Sequence, residues 1–373
     1  MIKRSPSVLA SFCLLALMSC ASSGAGPETS KYAAQQAELD KRVPDLLSQF
    51  DVPAVGIAVA TPEGVALAAT YGDARPGLPA TNDTLFNVAS VSKILAAETV
   101  LRVAASGAFD LDAPMAPAWV DPDLVEDPRH RDLTPRHALA HQTGFPNWRS
   151  MNEDGRLVFR FDPGTQPGYS GEGFEYVARF IERTTDKTYP DIVSELVLKP
   201  SKAERIAFNN KSRWAPDFAW SKDSEGNFKP AETAPSWSAA DDLYTTPTAF
   251  SRFLIPLLKG RSLPAELETD RRTIQFDMTK QFCSRPGFAD ICPQAIGFGL
   301  SGVVFEYEAE TVLWQGGGDV GERAVAFYVP EKEIAVVVFT NGANGAKLFA
   351  PIAELFYDNQ KYVEFLRAQG EQG

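Results

Sequence analysis

Phe86-Asn87-Val88-Ala89-Ser90-Val91-Ser92-Lys93 is an apolar segment that ends in the pattern Ser-x-x-Lys. The residues that follow, 94–103, carry apolar side chains at helical spacing without Gly or Pro, which predicts a helix that begins near Ser90. Residues three apart lie on one face of a helix, so Ser90 and Lys93 present a hydroxyl and an amine to the same place. An adjacent amine can accept the proton of a serine hydroxyl and so activate it as a nucleophile. The alternative is a pair of solvent-exposed side chains on an ordinary helix.

The length and charge of the chain limit its class. Its 373 residues suffice for a large core in one or two structural lobes. The formal net charge of −12 argues against nucleic acid as a partner, and against binding of anionic lipid through a basic patch. We therefore expect no nucleic-acid partner.

The N-terminus has the pattern of a targeting segment. Two basic residues precede an apolar run, 8–18, that is too short to span a bilayer as a stable helix, and Cys20 follows it. This pattern resembles a bacterial lipoprotein signal, in which residues 1–19 are removed, Cys20 carries the lipid and residues 20–30 form a tether. The predicted location is then the periplasm or cell envelope, with membrane attachment through Cys20. The alternative is an ordinary secretory signal cut at Ala21 or beyond, which would give a secreted soluble protein.

Two further cysteines, Cys283 and Cys292, lie close together in the mature chain, with Pro and Gly around them. In an oxidising compartment this spacing predicts a disulfide that closes a short loop. Two free buried thiols are the alternative. No third cysteine or nearby histidine completes a zinc-binding set.

Strand patterns occur at both ends of the chain, and helix patterns lie between them. Two apolar runs, 54–60 and 65–71, flank a Pro-Glu-Gly turn and predict a β-hairpin. Later strands are predicted at 311–315, 323–329 and 334–339. Helices are predicted at 31–50, 173–184, 246–258 and 346–366, with Thr134 as the N-cap of another. We therefore predict an α/β (α+β) fold: an antiparallel sheet built from both chain ends, 31–95 and 295–368, is flanked by helices, and a mainly helical lobe, 96–294, is inserted.

Five segments resemble, in the same order, motifs of the serine β-lactamase and penicillin-binding-protein superfamily, in the branch related to class C β-lactamases, D-Ala-D-Ala carboxypeptidases and family VIII esterases. The Ser90 stretch resembles the SxxK motif. The other four are 133–144, which resembles LTxRHLLTHTSGL; 161–171, which resembles FxPGxxxxYSN; 314–321, which resembles GHTGGxPG; and 336–345, which resembles VVVLTNGxNG. The matches extend from about residue 40 to about residue 360. The resemblance implies a β-lactamase/transpeptidase-like fold and one serine hydrolase domain over 31–368.

The resemblance also implies a role for each matching residue. Ser90 would attack a carbonyl and form an acyl-enzyme, with Lys93 and Tyr169 as the proton-handling pair. The backbone N–H groups of Ser90 and Gly318 would form the oxyanion hole. No cofactor and no metal are implied. His137 and His141 stand four apart, as helical zinc ligands can, but the family segment that contains them binds no metal.

Four residues occupy the positions that bind substrate in the family: Gly171, Gln315, Gly316 and Gly317. Three of them depart from the family pattern, because Gly171 replaces Asn, Gln315 replaces Lys or His, and Gly316 replaces Thr or Ser. The Lys and its neighbouring hydroxyl hold a substrate carboxylate in the family. A charge-assisted hydrogen bond is about twice as strong as a neutral one, so these changes weaken the case for carboxylate substrates and leave acyl transfer possible.

Three functions remain open at this point. The first, which Gln315 and Gly316 favour, is an esterase-like serine hydrolase whose ester or amide substrate has no essential carboxylate. The second is a D-Ala-D-Ala carboxypeptidase or β-lactamase-type hydrolase of cell-wall peptides. The third is a non-catalytic relative that binds envelope ligands, and the presence of Ser90, Lys93 and Tyr169 argues against it. The expected partner is a small-molecule or peptide substrate.

Overall fold

The computed structural model describes residues 27–208, 213–231 and 236–372. The predicted signal, 1–19, and the predicted lipidation site Cys20 lie outside the described residues and stay predictions. Within the described part of the chain, no helix combines the length and the apolar character needed to cross a bilayer.

An antiparallel sheet of nine strands forms the centre of the fold. The strands, numbered along the chain, are β1 (Ala54–Thr61), β2 (Gly64–Arg75), β3 (Leu78–Pro79), β4 (Phe86–Asn87), β5 (Ile206–Ala207), β6 (Ser221–Lys222), β7 (Phe228–Lys229), β8 (Tyr244–Thr245), β9 (Phe276–Asp277), β10 (Ala295–Phe298), β11 (Val303–Glu306), β12 (Thr311–Gly318), β13 (Arg323–Val329) and β14 (Ile334–Thr340). The large sheet has the order β3-β2-β1-β14-β13-β12-β11-β10-β9. Because β1 pairs with β14, the two ends of the chain meet in the middle of the sheet, and the predicted fold class is confirmed.

Helices cover both faces of this sheet. They are α1 (Pro27–Phe50), α2 (Ser92–Ala105), α3 (Pro135–Leu139), α4 (Gly171–Thr185), α5 (Tyr189–Val193), α6 (Lys199–Ser201), α7 (Pro247–Leu258), α8 (Ala265–Arg272), α9 (Thr279–Cys283), α10 (Phe349–Ala353) and α11 (Gln360–Gln372). Side chains alternate between the two faces of a strand. Val337 accordingly joins the core against α2, α4 and α7, while its neighbour Val338 joins the core against α1, α10 and α11. Burial on both faces explains why β14 is apolar from Ile334 to Phe339.

Three predicted boundaries differ from the structure. Helix α1 begins at Pro27, so the last four residues of the predicted tether are helical; the fixed φ of proline suits a first helical position. The predicted helix 346–366 is two helices, because Asn359 Oδ1 accepts a hydrogen bond from Tyr362 N at 3.1 Å and starts α11 anew. The sheet also includes β9, which lies before the predicted boundary at residue 295 and pairs with two residues of β10.

Candidate active site

Ser90 lies in a 3₁₀ turn, Ala89–Val91, between β4 and α2. The helix itself begins at Ser92, two residues later than predicted, because the turn has tighter geometry than an α-helix. Ala89 has φ 44°, a left-handed conformation that costs free energy for any residue with a side chain. Asn87 Oδ1 accepts a hydrogen bond from Ala89 N at 2.8 Å and stabilises this conformation. The turn leaves Ser90 half-buried at the edge of the sheet.

The Lys93 amine points at Ser90. Lys93 Nζ donates to Ser90 Oγ at 2.9 Å and to the carbonyl oxygen of Ala240 at 2.8 Å. The side chain is only 1 % exposed. Three aromatic rings surround the amine, with centroids at 5.1 Å for Tyr169, 5.8 Å for Phe174 and 5.9 Å for Trp148. The structure therefore brings Ser90, Lys93 and Tyr169 together, with the amine fixed in direction by two acceptors.

The Ala240 carbonyl is held in place from α4. The carboxylate of Glu175 accepts hydrogen bonds from the backbone N–H groups of Ala239, at 2.8 Å, and Ala240, at 3.1 Å, and from the hydroxyl of Ser238. Burial raises the pKa of Glu175, and these donors oppose that rise because they stabilise the charged form. Glu175 thus positions the residue that orients Lys93. Sequence reasoning missed this contact, because Ala240 is 147 residues from Lys93 and no motif marks it.

Tyr169 stands beside the amine and stacks on a buried histidine. The ring centroids of Tyr169 and His141 are 4.4 Å apart. His141 Nδ1 accepts a hydrogen bond from Ser170 N at 3.1 Å, so the ring nitrogen on that side carries no proton. Burial, followed by the charge of Lys93, holds the pKa of His141 well below its usual range. His141 is therefore neutral and supports the Tyr169 ring, a role that its place in the sequence did not reveal.

The glycine-rich end of β12 lies against the Ser90 turn. Strand β11 pairs with β12 only as far as Trp314, so within the described strands Gln315–Gly318 have one unpaired edge. A Cβ added to Gly317 would lie 2.2 Å from the carbonyl oxygen of Val88 and 3.1 Å from Ser90 N, so only glycine fits there. Gly318 follows directly. This close approach places Gly317 beside Ser90 N, with Gly318 as the next residue of the strand.

Each of two glycines at substrate-binding positions has a tryptophan ring against it. A Cβ on Gly171 or on Gly316 would lie 2.7 Å from the ring of Trp148 or Trp314, respectively. The Trp314 ring cannot move aside easily, because it packs against Phe365 with ring centroids 5.3 Å apart. A larger side chain at either glycine position therefore requires the tryptophan to shift. Indole rings thus lie against the two positions, 171 and 316, at which the family motifs have a polar residue.

Gln315, the fourth residue predicted to bind substrate, is buried. Gln315 is 3 % exposed. Its amide Nε2 donates to the carbonyl oxygen of Gly316 at 2.8 Å and to the Tyr169 hydroxyl at 3.3 Å. Gln315 thus connects the β12 edge to Tyr169 through a neutral group.

The Asp241 carboxyl group interacts with the Lys93 amine and with the carboxyl groups of Asp242 and Asp319, and Glu322 interacts with the same two aspartates. Burial and the neighbouring Asp242 raise the pKa of Asp241 to about 7. Burial also raises the pKa of Glu322 to about 7. These four carboxyl groups are therefore fully charged only above neutral pH.

Asp241→Asn is expected to remove part of the pH dependence of stability. The Asp241 carboxyl keeps its proton up to about pH 7 in the folded protein and releases it near 3.8 when unfolded, so its contribution is fully present below pH 3.8 and is lost as pH rises through 7. Asparagine does not titrate. Between pH 4 and pH 8 the free energy of unfolding should therefore fall less in the variant than in the parent, by about 4 kcal/mol. Urea unfolding at both pH values measures this.

Asp277→Asn is the matched control for that experiment. Hydrogen bonds from Thr279 lower the pKa of Asp277, so its contribution has the opposite sign and is lost as pH falls. Parallel pH curves for the parent and Asp241→Asn would contradict a raised pKa at Asp241.

The remaining candidate residues are placed as follows. Cys283 and Cys292 form a disulfide with Cα atoms 5.3 Å apart, which closes the loop after α9. Thr134 caps α3 by accepting a hydrogen bond from His137 N at 3.2 Å, as predicted. Among the His, Cys, Asp and Glu side chains of the described residues, no three cluster closely enough to hold a metal ion.

The chain is similar to known proteins in sequence family and in fold. The family model described as Beta-lactamase matches residues 39–355. Solved structures with a similar fold include a penicillin-binding protein homologue from Pyrococcus abyssi, with 18% identity and a TM-score of 0.71 over 90% of this chain and 80% of that one. A class C beta lactamase has 16% identity and a TM-score of 0.69, over 92% of this chain and 98% of the other. Simvastatin synthase from Aspergillus terreus has 18% identity and a TM-score of 0.69, over 95% and 100%.

One curated relative is similar in sequence over a short stretch. Esterase EstB of Burkholderia gladioli is 38% identical over 79 residues. The stretch spans 20% of this chain and 20% of that protein's length.

Proposed function

Because the chain belongs to the Beta-lactamase family, we propose that it is a serine hydrolase that cleaves neutral carboxylic esters through an acyl-enzyme. One observation carries the proposal: the buried Lys93 amine donates to Ser90 Oγ at 2.9 Å, at the edge of a glycine-rich strand. A nucleophile within hydrogen-bond reach of a base, with the base oriented by a further group, is the arrangement that covalent catalysis requires.

The proposed reaction has two steps. Ser90 Oγ attacks the ester carbonyl carbon and passes its proton to Lys93 or Tyr169. The backbone N–H groups of Ser90 and Gly318 stabilise the negative oxygen of the tetrahedral intermediate. The bond to the alcohol oxygen then breaks, and the alcohol leaves with the proton. Water attacks the acyl-enzyme in the second step, which releases the acid and restores the Ser90 hydroxyl.

The lining of the site supports a neutral substrate. Gln315 offers hydrogen bonds without a charge, and the indole rings at Gly171 and Gly316 leave no room for polar anchors. The Asp241 carboxyl group, which interacts with Lys93, repels a substrate carboxylate once it is ionised. The short stretch of similarity to an esterase is consistent with this choice.

A carboxypeptidase-like or β-lactamase-like hydrolase is the second candidate, and Arg323 is the observation that favours it. Its side chain lies against Gly318, 3.5 Å from the position of an added Cβ. It could offer a charge to a substrate carboxylate. The guanidinium already donates to the carbonyl oxygens of Asp319 and Glu322, and burial lowers the pKa of Arg323. An engaged cation flanked by two acidic residues is a weaker anchor than a dedicated one, so we rank this function second.

Covalent labelling separates the candidate functions. The mature protein is mixed with a fluorophosphonate probe and, separately, with a fluorescent penicillin, and labelled residues are mapped by mass spectrometry. Labelling of Ser90 by the fluorophosphonate alone, with turnover of neutral esters, is the expected result. Labelling by both probes would favour the second candidate. Labelling by neither probe would contradict the hydrolase proposal and favour a non-catalytic binding protein.

Gln315→Lys is expected to shift specificity toward carboxylate substrates. The new ammonium would stand beside Tyr169, where the family holds a substrate carboxylate, and a charge-assisted hydrogen bond contributes about 1.5–3 kcal/mol. The ratio of kcat/KM for penicillin over that for a neutral ester should rise by about tenfold or more. Gln315→Met is the matched control, since it has similar length and no charge. An unchanged ratio in a folded Gln315→Lys protein would show that residue 315 does not contact the substrate.

A further inference from the structure

An apolar groove of about 470 Å³ begins at Tyr169 and Gln315 and extends toward the C-terminal helix α11. Its floor consists of Phe298, Val303 and Trp314. These three residues are directly opposite one another on β10, β11 and β12. Opposite residues of antiparallel strands point to the same face, so the three side chains form one continuous surface.

The walls of the groove are also mostly apolar. Phe365 and Leu366 of α11 line it together with Phe282, which is next to the disulfide-bonded Cys283 and has its ring centroid 5.9 Å from that of Phe365. The amide and guanidinium side chains that line it are Arg285, Gln315, Arg323 and Gln369. The volume lies in the range of pockets that enclose drug-sized ligands. A group of many carbon atoms would therefore be taken out of water there.

The groove is continuous with the reaction centre. Tyr169, Gln315 and Gly317 line the groove, and a Cβ on Gly317 would lie 3.1 Å from Ser90 N. Tyr169 also has its ring centroid 5.1 Å from Lys93 Nζ. Residues that line the groove thus also border Ser90 and Lys93, and we expect a molecule bound there to extend to the carbonyl that Ser90 attacks.

We propose that this groove binds the alcohol part of the ester, and that this alcohol is large and apolar. The inference rests on the proposed ester hydrolysis. The alcohol is assigned to the groove because its oxygen must receive a proton when its bond to the carbonyl carbon breaks, and the Tyr169 hydroxyl stands at the mouth of the groove. The apolar character follows from the floor and walls, since each buried methylene group contributes to binding.

Two matched series of esters test the assignment. The first series holds the acid constant as acetate and lengthens the alcohol from ethyl to octyl. The second holds the alcohol constant as ethyl and lengthens the acid to octanoate. We expect kcat/KM to rise by at least about tenfold along the first series and to change by less than about threefold along the second.

Two substitutions on α11 test whether the dependence of kcat/KM on alcohol length arises in the groove. Gln369→Trp adds a ring to the lining of the groove and should lower the octyl-to-ethyl acetate ratio by at least about tenfold. Glu371→Trp adds the same ring to an exposed position of the same helix and should leave the ratio unchanged. Thermal unfolding of both variants shows that they fold.

The outcomes separate this inference from the proposed function. The groove assignment would be overturned, while ester hydrolysis stands, if kcat/KM depended on the acid series alone or on neither series. An unchanged octyl-to-ethyl acetate ratio in folded Gln369→Trp would overturn it as well. Absence of ester turnover together with absence of fluorophosphonate labelling would overturn the hydrolase itself, and the groove assignment with it.

Discussion

Ser90→Ala is expected to abolish covalent labelling by a fluorophosphonate and to lower ester turnover by about 10⁴-fold or more, because it removes the proposed nucleophile. Alanine fits the 3₁₀ turn, so the fold should survive. The cost in stability should be about 1.5–3 kcal/mol at most, since Lys93 Nζ loses its bond to Ser90 Oγ and keeps the one to Ala240. Single-turnover kinetics and urea unfolding of the purified variant measure both effects.

Ser92 provides the matched control for this experiment. It lies two residues further along the same segment, and its buried hydroxyl has no hydrogen-bond partner among the described residues. The Ser92→Ala protein should therefore be labelled by the fluorophosphonate, and should hydrolyse esters, at the parent's rate. Full activity of Ser90→Ala would remove the proposed mechanism, whatever the control shows.

Lys93→Arg is the second large effect. Arginine keeps the positive charge but effectively never releases its proton, so it cannot act as the base for Ser90. General-base catalysis contributes about 10²–10⁴-fold, and we expect the rate of acylation to fall by that amount. Rapid mixing with a fluorogenic ester, followed across pH, measures acylation separately from hydrolysis of the acyl-enzyme.

Lys93→Met serves as the comparison, because it removes both the charge and the proton acceptor at similar side-chain length. If the amine is the base, the arginine and methionine variants should be similarly slow. If arginine supports acylation as well as lysine does, Lys93 acts only as a charge, and Tyr169 becomes the base to test next. The buried position of Lys93 makes a folding check by thermal unfolding necessary for both.

Much of the fold follows from the pattern of the sequence. The hairpin of β1 and β2 and the late strands β12 to β14 were predicted from short apolar runs and turn residues, and the structure has them. The sheet from both chain ends is confirmed, and the family match over 39–355 agrees with the order of the motifs. Local patterns succeed here because strand and helix periodicity are properties of a few neighbouring residues.

Boundaries were predicted less well than elements. The helix after Ser90 starts at Ser92, because the strained Ala89 and the Asn87 side chain hold a tighter turn before it. Apolar periodicity could not detect that turn, since the same side chains are buried in both conformations. The break between α10 and α11 depends on the Asn359 cap, which an unbroken apolar pattern conceals.

The sequence by itself predicted that a hydroxyl and an amine share one place, because Ser90 and Lys93 are three residues apart; the 3₁₀ turn and the first turn of α2 together keep them on one side. Only the tertiary structure decided what surrounds that pair. The Ala240 carbonyl, the stacked His141 and the groove lined by Trp314 come from segments far apart along the chain. Contacts of this kind depend on strand register and on how helices pack over the sheet, and no local pattern of residues encodes either one by itself.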